Sequence, residues 1–159
     1  MKTINKKSER GQSLVELAIS LVVLLYLLSG VVEFGIAFFQ FIQLRDAAQE
    51  GALYASINPN VLTPIEARVR AASDRPIDLS QGAGLVTIEV KVFDQTSNAE
   101  KTLSAACVGD GIRVSAQFNH RVFMPFIPTL IGRNTIPLNG NVTDTILQSA
   151  NASGENGCP

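Results

Sequence analysis

Glu16 stands alone at the head of an uncharged run, residues 17–32. It follows Gly11-Gln12-Ser13-Leu14-Val15 and a short basic leader. A carboxylate near the centre of a membrane costs about 2.5–3.5 kcal/mol on insertion scales, and close to nothing at the water-facing end of a helix. Glu16 is therefore either a charge kept for a task or the mark of a helix end. The glycine five residues upstream and the basic leader favour the task. Glu33 closes the uncharged run. It reads as the outer boundary of a membrane span or as a charge that pairs with another subunit, and the boundary is the favoured reading.

The other reactive residue types are sparse. Cys107 and Cys158 form an even pair, which an oxidising compartment allows to bridge. Closing a loop of about 50 residues stabilises a fold by roughly 4 kcal/mol on the chain-entropy model. The alternative is two unrelated thiols, one of them in a mobile tail. A single histidine and two separated cysteines cannot supply an ordinary zinc set. No glycine-rich phosphate loop or nucleophile elbow is present, and no cofactor is implied. His120, alone on an expected strand, reads as a surface or edge residue rather than a base. The chain is not expected to be an enzyme.

Charge sets the orientation of whatever carries Glu16. Residues 1–10 hold Lys2, Lys6, Lys7 and Arg10 against Glu9, a net +3, and the remainder carries net −4. Positive charge beside a first membrane segment keeps that side in the cytoplasm, so the rest of the chain should face outward. The outward part is acidic and lacks a basic stripe, which excludes a nucleic-acid partner. The 159 residues suffice for one small domain and an anchor.

Residues 14–42 are apolar apart from Glu16, Glu33 and isolated Ser and Gln. That is longer than the roughly 20 residues a membrane helix needs, and too long for the h-region of a cleaved secretory signal. A retained anchor in contact with lipid is expected. Helical periodicity then continues through Phe34, Phe38, Phe41, Leu44, Ala48, Ala52 and Ala55, with Gln43, Arg45, Asp46, Gln49 and Glu50 largely on other faces. Asn58-Pro59 ends the helix. A helix over 12–57 would be about 70 Å long. Thr63-Pro64-Ile65-Glu66 predicts a second, short helix, with Thr63 as its cap and Pro64 in first position, running to about Ser73. Residues 82–84 read as a loop.

The period then changes to two. Val86, Ile88, Val90 and Val92 predict one strand, and Ile112, Val114, Ala116 and Phe118 a second, with a polar loop between them. Ile136, Leu138, Val142 and Ile146 predict a weaker third. Proline keeps the apolar residues 123–131 from forming a regular strand. The expected architecture is α+β: a long amino-terminal helix packed on a small antiparallel sheet of three or four strands. The divisions are a leader (1–11), a membrane and stem helix (12–57), an outward helix-and-sheet domain (58–149) and a loose tail (150–159).

Arg10-Gly-Gln-Ser-Leu-Val-Glu-Leu-Ala, Val32-Glu-Phe-Gly-Ile-Ala-Phe and Leu44-Arg-Asp-Ala-Ala-Gln-Glu-Gly-Ala-Leu-Tyr-Ala-Ser together resemble the amino-terminal module of TadE-like proteins, pseudopilins of tight-adherence (Tad, or Flp) pilus systems. The glycine followed by a glutamate five residues on resembles the class III signal of type IV pilins. One departure is Leu17, where the family often has an aromatic residue. The resemblance implies a pilin-like fold in a bacterial cytoplasmic membrane, or on the cell surface in a pilus. It implies cleavage by a prepilin peptidase between Gly11 and Gln12, and assembly with other pilins or pseudopilins and the pilus machinery. It also implies that Glu16 serves the new terminal amine of a neighbouring subunit. A minor pseudopilin of a type II secretion system shares the signal and stem. A signal-anchored envelope enzyme or ligand-binding domain is the alternative of another class, and it would need a polar constellation that the sequence does not offer.

Overall fold

The computed structural model describes residues 9–73, 75–80, 85–125, 127–150 and 158. Leader residues 1–8, the expected loop at 82–84, and tail residues 151–157 and 159 lie outside the described residues. The fold is α+β. Helix α1 (Glu9–Ile57) is followed by α2 (Leu62–Ala71), β1 (Val86–Phe93), β2 (Glu100–Lys101), a 3₁₀ turn (Leu103–Ala105), β3 (Gly111–Arg121), α3 (Ile127–Ile131) and β4 (Thr135–Thr145). The four strands form an antiparallel sheet in the order β2-β1-β3-β4.

The sheet is framed by β3, whose alternation puts Ile112, Val114 and Ala116 into the core. It pairs with β1 from Val86↔Phe118 to Phe93↔Gly111, and with β4 from Gly111↔Thr145 to Arg121↔Thr135. Val86 and Val92 of β1, Ile146 after β4, and Ile65 and Val69 of α2 complete the buried cluster, with Leu44, Ala47, Ala48, Ala52 and Ala55 of α1. Small residues on α1 let the sheet come close. A Cβ on Gly140 of β4 would stand 2.5 Å from the backbone nitrogen of Arg45 and 2.6 Å from the carbonyl carbon of Leu44. Only a glycine admits two backbones at that separation.

Three expectations need correction. The helical period of α1 is right, and Leu44, Ala48, Ala52 and Ala55 face the core as expected, but over Phe34, Phe38 and Phe41 the phase is off by one residue, about 100° of rotation. The stripe facing the sheet domain is Gly30, Glu33, Ala37, Gln40, Leu44, Ala47, Ala48, Gly51, Ala52 and Ala55. Phe34 and Phe38 point away, 72% and 53% exposed. Gln43, expected outside, is buried: its amide donates to the carbonyl of Ile77 and to Ser73 Oγ, and its oxygen accepts the Ile77 N–H. Hydropathy assigned the phase to the phenylalanines, whereas hydrogen bonding drew the polar residues inward.

Helix α2 begins at Leu62, after Val61, with no side-chain cap, so Thr63 does not cap it. Pro64 falls in the first turn, where an amide proton has no helical partner, so its missing donor does not prevent the earlier start. Within the polar loop, β2 pairs only through Val92↔Lys101 and Phe93↔Glu100. It is too short to show a period. A turn holds it: Asp94 accepts the Thr96 and Ser97 N–H groups, and Asn98 takes φ +56°.

Candidate functional site

The amino-terminal end of α1 is bare. From residue 11 through residue 29 every position is exposed. α1 is long and apolar enough to cross a membrane. Gly11 lies inside the helix, where glycine costs about 0.5–1 kcal/mol relative to alanine, and a Cβ placed on it meets no atom within 4 Å. Packing within the chain therefore gives no reason for glycine at this position, as is also true at Gly35. Glu16 is exposed, and among the described residues no side chain forms an ion pair with it. Tyr26 of α1 meets the β3–β4 connection: its hydroxyl donates to the Pro125 carbonyl at 3.1 Å. Ten helical residues separate Tyr26 from Glu16, about 15 Å of rise.

Glu33 has a partner in its own chain. Its Oε1 lies 2.9 Å from His120 Nε2 and accepts the Phe123 N–H at 3.1 Å. His120 Nδ1 lies 2.6 Å from Gln40 Oε1. An imidazolium donates to both oxygens. A neutral ring with the proton on Nε2 serves Glu33 equally, provided that the Gln40 amide is turned to donate. His120 is 1% exposed on the inner face of β3, so the expected surface position is corrected; at this level β3 pairs with β4, beyond the last β1 partner at Phe118. The alternation of β3 places residue 120 on the core face, in phase with Ile112, Val114 and Ala116, and α1 supplies the two polar groups it needs. Both ring nitrogens are occupied, so neither is presented to a substrate. The cluster ties the helix to the sheet. Its signal in the sequence was a lone carboxylate in an apolar run and a lone histidine in an alternating strand, two polar groups that each lacked a local partner.

The opposite end of the domain is closed covalently. Cys107 and Cys158 are joined by a disulfide, with Cα atoms 5.5 Å apart. Beside it, Lys101 Nζ lies 2.9 Å from Asp94 and 3.0 Å from Asp110, whose other oxygen accepts the Cys107 N–H at 2.9 Å. The Lys101 ammonium, helped by the Ser97 and Thr96 amides, holds the Asp94 carboxyl well below the usual carboxylate range. Asp94 and Asp110 in turn raise Lys101 above the ordinary lysine value. Among the described residues no three His, Cys, Asp or Glu side chains are grouped to hold a metal ion.

No match was found among curated proteins or among solved structures. A family model described as TadE-like protein matches residues 11–53. The matched segment starts at the glycine ahead of Glu16, includes Glu33 and Gln40, and ends one residue before Tyr54, so it covers the stem and none of the sheet. That family is pilus-associated, and its role is structural rather than catalytic. Over residues 11–53, its stem, the chain is similar to the TadE-like family.

Proposed function

We propose that the chain is a pilin-like subunit for assembly of a Tad pilus, anchored in the cytoplasmic membrane with its sheet domain outside. A prepilin peptidase cuts between Gly11 and Gln12, and Glu16 then pairs with the terminal amine of a neighbouring subunit. The observation that carries the reading is the TadE-like match over residues 11–53, on a helix that is exposed from residue 11 through residue 29 and carries no charge from residue 17 through residue 32. Two further observations support it. Among the described residues Gly11 has no packing partner that would require glycine, so the position is open to recognition by a protease. Glu16 lies about 15 Å of helix below Tyr26, which meets the β3–β4 connection, and among the described residues it has no ion-pair partner, so a neighbouring subunit's amine can serve it. The basic leader favours a cytoplasmic amino terminus.

The test separates processing from assembly. Gly11→Leu should leave full-length precursor in the membrane of cells that contain the peptidase. Glu16→Ala removes a charge from an apolar segment, so it should insert and be cleaved normally. It should nevertheless lose cross-links to partner pilins. A protein of unchanged mass with and without the peptidase refutes the processing step, and unchanged cross-links in Glu16→Ala refute the pairing.

A further inference from the structure

The connection between β3 and β4 docks on α1 inside the apolar run. Tyr26 bonds Pro125, a Cβ on Gly30 would stand 3.7 Å from Met124 Cε, and Glu33 holds the Phe123 amide. Below Tyr26 the exposed residues 12–25 span about 21 Å of helix, whereas a hydrocarbon core is about 30 Å thick. A membrane crossed by α1 from Gln12 must therefore extend about 20 residues, to near Val31. That is above the level at which residues 124 and 125 touch the helix.

The connection has the composition for such a place. Residues 122–132 carry no charge, and Arg121 and Arg133 bracket them. Phe123 is 71% exposed and Ile131 43% exposed, while Met124 is buried against the helix. Both arginines are exposed. Apolar side chains that face outward between two cations match the boundary between acyl chains and phosphates, where long basic side chains extend to the headgroups.

We propose that the β3–β4 connection is seated in the outer interfacial layer of the membrane that α1 spans, with Phe123 and Ile131 among the acyl chains and Arg121 and Arg133 at the lipid phosphates. The Glu33–His120–Gln40 cluster then lies at the upper face of that layer and fixes the depth of the domain. The inference rests on the reading of α1 as a membrane anchor, and its test distinguishes the two.

The chain has no tryptophan, so single tryptophans report on their own surroundings. The full chain is placed in nanodiscs of phosphatidylcholine and phosphatidylglycerol, with plain or brominated acyl chains. Val23→Trp reports on the span, Phe123→Trp on the connection, and Val108→Trp on the exposed loop before β3. Bromination should remove most of the emission of Val23→Trp and Phe123→Trp and leave Val108→Trp unchanged. A quenched Val23→Trp with an unquenched Phe123→Trp overturns the seating and leaves the anchor intact. A Phe123→Trp that is unquenched by lipid but becomes shielded from aqueous acrylamide as protein per disc rises shows that a second copy covers it, and overturns the seating too. An unquenched Val23→Trp removes the anchor reading and the seating with it.

Discussion

Glu33→Ala should loosen the sheet domain from the helix, and the size of the effect follows from what the carboxylate serves. Its Oε1 is the acceptor for His120 Nε2 and for the Phe123 amide. Phe123 is exposed within the chain, so the loss of its amide bond is the smaller part of the cost. His120 is 1% exposed, and among the described residues its Nε2 has Glu33 as hydrogen-bond partner, so losing it costs about 1–3 kcal/mol for a buried unsatisfied donor. An imidazolium would move the loss toward the roughly 3–5 kcal/mol of a broken buried ion pair. The Glu33 side chain keeps 16% exposure, which tempers that figure. A loss of about 2–3 kcal/mol is expected, a fall in Tm of roughly 10–20 °C for a domain of about 100 residues. Scanning calorimetry of the detergent-solubilised chain reads the transition, and hydrogen exchange of β3 amides shows where it loosens. Glu33→Gln keeps an oxygen acceptor and should lose less than half as much. A Tm for Glu33→Ala within about 2 °C of wild type, or the same loss for Gln and Ala, would refute the role given to the carboxylate.

Gly140→Ala should cost at least the roughly 1–3 kcal/mol typical of overpacking, because the new methyl meets the α1 backbone and not a flexible side chain; a midpoint of denaturant unfolding equal to wild type would contradict this packing. Reducing the Cys107–Cys158 bridge frees a loop with a sequence separation of 51 residues and should lower stability by roughly 4 kcal/mol on the chain-entropy model, read as the difference in Tm with and without reductant. The Asp94 carboxyl is depressed in the folded state, so its contribution is full above the ordinary aspartate value of about 4 and is lost as pH falls below it. Lys101→Met should therefore differ from wild type in Tm at neutral pH and converge with it on acidification below about pH 4, and a difference that persists undiminished in acid would argue against the ion pair.

Periodicity and composition carried much of the architecture. An uncharged run after Glu16 can only be an exposed membrane-length helix or a buried one, and alternation at 86–92 and 112–118 can only be half-buried strands, because both follow from backbone repeat and apolar burial. The glycine and glutamate spacing and the basic leader were legible for the same local reason. What the sequence could not show was which groups meet across the fold. Gln40, Gln43, Glu33 and His120 are polar, and hydropathy places polar residues outside. They lie inside because residues 34 to 87 positions away supply the hydrogen bonds that make burial tolerable. From Leu44 to Ala55 the expected face of α1 is the buried one, whereas between Glu33 and Gln40 the phase follows from those bonds and not from the phenylalanines. Local pattern determined what each segment becomes, and tertiary pairing of buried polar groups decided which face it turns to its neighbours.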